Sequence, residues 1–136
     1  MRPRNISVLI LYDSDGKILL QHRALDARSL PGYWAFFGGG IEESETSEQA
    51  LVREIHEELA YDVQQPLLLL EQKFAYNGTE NIKYVFVERY EEKQKLQLGE
   101  GQGLGWYFPG ETKNLLMVDH DQALIERLHE HIQQNL

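Results

Sequence analysis

The 136-residue chain contains no cysteine. This excludes structural disulfides, thiolate nucleophiles and cysteine-based zinc sites, and leaves the cytoplasm as the default compartment. Cations are also scarce: 13 Lys and Arg stand against 22 Asp and Glu, a formal charge of −9. So acidic a chain cannot neutralise a phosphate backbone in bulk, so no nucleic-acid polymer is expected as partner. Long apolar runs are missing too. No stretch approaches the ~20 residues that span a bilayer, and no membrane partner is expected. Arg2 and Arg4 precede an apolar run, but residues 8–12 are too few for the h-region of a signal peptide and end at Asp13. No repeat, linker or low-complexity segment is present, and the length suits a single domain over residues 1–136 with its own core.

What the chain does have is concentrated in residues 38–61. Three glycines, Gly38, Gly39 and Gly40, lead through an acidic turn into a helix. Thr46 is its expected N-cap, with Gln49 closing a capping box, and no Gly or Pro interrupts residues 46–59. At about 100° per residue, Val52, Ile55 and Leu59 share one side, while Glu54, Glu57 and Glu58 cluster on the other. Like charges at this spacing destabilise a helix by roughly 0.2–0.5 kcal/mol per pair. Arg53, placed before Glu57 at helical spacing, offers the only local relief. Carboxylates facing one spot are hard ligands suited to Mg²⁺, with Mn²⁺ as a substitute. The alternative is a solvated acidic face.

Around this segment the pattern reads as strands at residues 6–12 and 18–23 joined by a turn at 13–16, then a loop at 24–32. A short aromatic strand at 33–37 feeds the glycines. One long or bent strand is expected at 63–76, a turn at Asn77-Gly78 and a strand at 82–90. A charged, glycine-rich loop covers 91–103, a strand 104–108 and one helical turn 111–116. Asp119 should cap a last helix running to about residue 133, with Gln122 closing a second capping box. Leu124, Ile125, Leu128 and Ile132 form its apolar stripe. Strands, helix, hairpins and closing helix suggest a mixed α/β (α+β) sheet between helices.

Gly39, Glu45 and the run Arg53-Glu54-Ile55-His56-Glu57-Glu58 match the Nudix box at its glycine and every charged position. The chain resembles the Nudix hydrolases, which cleave nucleoside diphosphates linked to another group. It departs from the box at Ala60 and Tyr61, where the family has glycine and an aliphatic residue. The resemblance implies the α/β/α sandwich of the Nudix fold over residues 6–132. It implies Mg²⁺ held by Glu54 and Glu58, by Glu57 directly or through water, and by the carbonyl of Gly38. Gly39 and Gly40 would let the backbone approach substrate, although a plain turn explains Gly40 equally well. Arg53 would join the catalytic set through Glu45, which braces it. Glu100 would serve as general base, with Glu54 as rival and a solvated loop acid as the alternative. Arg23 would meet a substrate phosphate.

His56 reads as a surface residue. Of the strand-end aromatics, Tyr33, Trp34, Phe36, Tyr76, Tyr84, Trp106 and Phe108, most are expected in the core and one or two against a base. The implied substrate is a small nucleotide: a (d)NTP yielding NMP and pyrophosphate, or a nucleotide sugar or ADP-ribose. The asparagine by which one branch of the family reads guanine has only His120, Asp119 or Asp121 as its nearest match. A nucleotide-sensing module without catalysis is the reading of another class, and the intact set of box glutamates argues against it. Isoprenoid diphosphate isomerase expects a cysteine and is set aside. Dimers are common in the family, so a homodimer stays open, although nothing in the sequence marks an interface.

Overall fold

The computed structural model describes residues 3–99 and 103–135. The first strand, β1 (Ile6–Tyr12), turns at residues 13–16 into β2 (Ile18–His22). Asp13 makes that turn by accepting the N–H groups of Asp15 and Lys17 on Oδ1 at 3.0 and 2.8 Å. After a loop come β3 (Trp34–Ala35), β4 (Phe37–Gly40) and helix α1 (Ser47–Leu59). The chain continues as the hairpin β5 (Leu67–Tyr76) and β6 (Thr79–Arg89), then β7 (Gly103–Tyr107), a 3₁₀ turn Pro109–Asn114 and helix α2 (Asp119–Gln134).

The strands form one mixed sheet in the order β3-β2-β1-β6-β5, with β4 also pairing β1 and β7 pairing β2. Among the described residues only β1 and β6 run parallel, from Ile6 beside Lys83 to Tyr12 beside Arg89. β1 is an unbroken apolar run because both its faces are covered. Val8, Ile10 and Tyr12 join the core under α2, with Leu124, Ile125, Leu128 and Ile132. Leu9 and Leu11 join the core under α1, with Leu51, Ile55 and Leu59. The result is a mixed sheet between two helices, the sandwich expected. No helix among the described residues is long and apolar enough to cross a membrane.

Four expectations need correction. The triple glycine is not a turn: Gly38, Gly39 and Gly40 pair with Val8, Ser7 and Ile6 as strand β4. A sheet ladder needs only backbone, and here a side chain would not fit. Gly38 has φ +148, and a Cβ there would lie 2.1 Å from Ser7 O. On α1, Val52 is 43% exposed and Leu51 is buried instead, because the seam follows the i, i+4, i+8 row through Leu51, Ile55 and Leu59. β5 begins at Leu67 rather than near 63: the N–H groups of Gln64 and Gln65 donate to the Glu88 carboxylate, both at Oε1, at 3.0 and 2.7 Å. Helix α2 is preceded by Val118 with no side-chain cap. Gln122 donates to Thr112 O at 2.8 Å, tying the helix start to the 3₁₀ turn rather than closing a capping box.

Candidate active site

Helix α1 starts as expected. Thr46 Oγ1 accepts the Gln49 N–H at 3.1 Å, and Gln49 Oε1 accepts the Thr46 N–H at 2.9 Å. Its end is unusual. Ala60 adopts the left-handed conformation, φ 53 and ψ 31, and donates its N–H to His56 O at 2.9 Å. Ala60 stands, exposed, where the box usually has glycine. Tyr61, in place of an aliphatic residue, is fully buried. Its hydroxyl donates to Glu88 Oε2 at 2.8 Å and accepts the Glu91 N–H at 3.1 Å, so burial leaves no polar atom unpaired.

The three glutamates are not equivalent. On the wheel Glu58 falls only about 20° from Leu51, at the edge of the core seam rather than on the far side. It is half-buried, and its Oε1 accepts the Gly38 N–H at 2.9 Å. Burial pushes its carboxyl up to about 8; Glu54 and Glu57 add to the rise, while the Gly38 N–H and Arg23 oppose it. The side chain of Glu54 is 19% exposed and that of Glu57 is 60% exposed. Glu54 lies directly over Gly39: a Cβ there would come within 2.5 Å of its carboxyl carbon.

Arg53 fixes this arrangement. Its Nε and Nη2 grip Glu45 at 2.7 and 2.8 Å, Nη2 also donates to Gly40 O at 3.0 Å, and Nη1 donates to Glu54 Oε1 at 2.9 Å. Through one guanidinium, α1 is tied to β4 and to the preceding turn. The Arg53 hydrogen bond holds the Glu45 carboxyl down to about 2, with the Glu42 N–H contributing. Burial works against that drop, and Arg53's charge adds a smaller lowering. Arg53 was expected in the catalytic set, but it does not line the cavity described below. Its contacts make it a positioning residue.

A cavity of about 640 Å³ opens over the helix, with Glu54, Glu57 and Glu58 on one side. Arg23 lines the same cavity, joined by Gln21, Asp26 and Arg28. These last three carried no sequence signal. Gly38, Gly39 and Gly40 lie outside the lining; Glu54 packs over Gly39, and Gly40 O accepts from Arg53. Among the described residues, no three acidic or histidine side chains converge closely enough to hold a cation together. Like charges keep apart, and Arg53 holds one oxygen of Glu54. The donors still fit a hard divalent cation. Burial raises the Glu58 carboxyl by more than Arg23 and the Gly38 N–H lower it, so a further cation would be favoured beside it, and the bare Gly39 leaves room for a second carboxylate over the backbone.

Glu100 lies outside the described residues. Gly99, before it, donates its N–H to Glu58 O at 2.8 Å, and Gln97 donates to Leu59 O at 2.8 Å, so this loop is tied to the end of α1. His56 is on the surface, 3.9 Å from Asp62. Of the aromatics, Phe36 is buried, whereas Tyr76 and Phe108 are 49% and 44% exposed. His120 and Asp121 do not line the cavity. Both meet Lys83 Nζ, at 2.7 and 2.5 Å, and His120 stacks on Phe74.

Acids on one wall and arginines on the other suit a polyphosphate carried with divalent cations, and the fold is a mixed sheet between two helices. The chain belongs to the Nudix family: residues 1–131 match the NUDIX domain model. Over 65 residues it is 38% identical to an 8-oxo-dGTP diphosphatase of Proteus vulgaris, covering 48% of this chain and 57% of that protein. Over 59 residues it is 51% identical to the nucleoside triphosphatase NudI of Escherichia coli O139:H28, covering 43% of this chain and 41% of that one. The chain spans about half the length of the curated relatives it matches. The solution structure of the E. coli ORF135 protein superposes with a TM-score of 0.76 at 29% identity, over 93% of this chain and 88% of that one. A MutT protein of Methanosarcina mazei shares the fold, with a TM-score of 0.82 at 18% identity over 96% of each chain.

Proposed function

We propose that this protein hydrolyses a diphosphate linkage in a nucleoside diphosphate derivative, converting a (d)NTP to NMP and pyrophosphate. The observation that carries the reading is the single cavity in which Glu54, Glu57 and Glu58 face Arg23. The relatives named 8-oxo-dGTP diphosphatase and nucleoside triphosphatase support the substrate class. Divalent cations serve the family generally, and Mg²⁺ is the ion proposed here.

Glu58 and Glu54 would be the principal ligands, with Glu57 and the Gly38 carbonyl completing the set. A bound divalent cation supplies neutralisation of the anionic oxygens that repel an attacking water. The chain's own groups do the rest. Arg23 binds and orients a phosphate. Arg53 holds Glu54 and the start of α1 in register with β4. Gly39 keeps the space over which the Glu54 carboxylate lies. Glu54 already shares an oxygen with Arg53, which suits a fixed ligand better than a proton acceptor. Glu100, following the loop anchored on Glu58 O, is therefore proposed as the base that takes the proton of the attacking water.

The test is pyrophosphate release from a panel of nucleoside triphosphates, with and without Mg²⁺. Hydrolysis should require the cation and fall by about 10²-fold or more in Glu58→Gln, the scale of losing one positioned charge at the reacting centre. Wild-type rates in Glu58→Gln would sink the ligand assignment. At saturating Mg²⁺, Glu100→Gln should lower kcat more than Glu54→Gln does, and Glu54→Gln should raise the Mg²⁺ needed for half-maximal rate; a larger loss of kcat in Glu54→Gln with an unchanged Mg²⁺ requirement returns the base role to Glu54.

A further inference from the structure

The wall facing the glutamates contains two cations, Arg23 and Arg28, held in different ways. Arg23 splints the loop at 24–32. Its Nε donates to Ser29 O at 2.9 Å and its N–H to Tyr33 O at 2.8 Å. It is also near enough to Glu58 to favour the ionised carboxylate. Arg28 is exposed, lines the same cavity and makes no hydrogen bond or ion pair with any described residue. Its loop is nevertheless well tied. Ala27 N–H reaches Ala24 O at 3.1 Å, Gly32 N–H reaches the same oxygen at 3.3 Å, and His22 Nε2 lies 3.1 Å from Gly32 O. A guanidinium unengaged by any described residue is thus presented by a hydrogen-bonded loop to a cavity that also holds Glu54, Glu57, Glu58 and Asp26.

The charges give Arg28 a role. Divalent cations held by Glu54, Glu57 and Glu58 would supply, together with Arg23, positive charge against a diphosphate. A triphosphate brings one further phosphate group; with Arg23 assigned to the diphosphate, Arg28 is the second arginine of the described lining, and none of its guanidinium donors is engaged by a described residue. We infer that Arg28 binds the phosphate lying beyond the cleaved linkage and so sets a preference for nucleoside triphosphates over diphosphates. The inference rests on the function proposed above in naming the substrate class.

The test compares wild type, Arg28→Ala and Arg28→Lys. Calorimetry with Mg²⁺ measures binding of inorganic tripolyphosphate and of pyrophosphate; steady-state kinetics measures a dNTP against the matching dNDP. Arg28→Ala should weaken tripolyphosphate binding by about tenfold to a hundredfold, the scale of one charge-assisted contact. The triphosphate-to-diphosphate ratio of kcat/KM should fall with it, through KM, and Arg28→Lys should recover part of the loss. Equal weakening of both anions, or of neither, would overturn the inference, as would wild-type protein binding pyrophosphate as tightly as tripolyphosphate. If wild type cleaves no nucleotide, the proposed function fails, while the calorimetric comparison still decides the role of Arg28.

Discussion

A single missing Cβ separates the site from the fold. At Gly39 the neighbour of an added methyl would be the end of the Glu54 side chain, 2.5 Å away, which can swing aside. At Gly38 it would be the Ser7 backbone, 2.1 Å away, which cannot. Gly39→Ala should therefore keep its melting temperature while losing about 10²-fold in kcat, since an ångström of misplacement in a catalytic group costs that much. Gly38→Ala should lose the folded state first. Circular dichroism melts alongside turnover would distinguish the two. The residues that carry the Nudix resemblance were legible because their types and offsets are rigid. Arg28 and Asp26 were not, because a loop brings them over the helix without any periodicity in sequence.

At the scale of the element, α1 shows what a helical wheel can and cannot decide. It groups the glutamates, but it cannot say where the core seam ends. Docking chose Leu51 over Val52 and drew Glu58 to the seam's edge, where burial raises its carboxyl. The far end of the helix holds a correctable strain. Ala60 sits at φ 53, a conformation that penalises any Cβ. Ala60→Gly should stabilise the protein by about 0.5 to 1 kcal/mol, the released left-handed penalty less the extra chain entropy of glycine. A urea titration with unchanged slope checks it; a lower midpoint would show that the Ala60 methyl contributes packing.

Across the whole molecule, a buried ion pair joins the sheet to the second helix. Lys83 Nζ, 1% exposed, meets Asp121 Oδ1 at 2.5 Å, and His120 O accepts from Gln72 Nε2 at 3.0 Å beside it. Lys83→Met should cost roughly 3–5 kcal/mol by leaving Asp121 buried and unpaired, and Lys83→Met with Asp121→Leu should regain most of that. A double-mutant cycle in denaturant measures the coupling. His120 adds a pH dependence. Burial, and then the charge of Lys83, lower its pKa below the ordinary 6.5, while Asp121 and Asp119 oppose the shift. The unfolded chain therefore binds this proton more readily than the folded one. Stability is retained above pH 6.5 and falls as the pH drops below it toward the folded value. His120→Gln should flatten melting temperature against pH in that window.

The sequence alone determined the helix caps at Thr46 and Gln49, the two-faced apolar strand β1, the stripe of α2 and the spacing of the glutamates. All of these depend on neighbours within a turn or on strict periodicity. Tertiary structure decided what depends on partners far along the chain. It put the glycines into a ladder with β1, gave the N–H groups of Gln64 and Gln65 to Glu88, and replaced the capping box of α2 with a Gln122 contact to Thr112. It also turned loop 24–32 onto the acidic face of α1. Local propensities are weak against such contacts, since each buried polar group takes whichever partner the packed chain brings within reach.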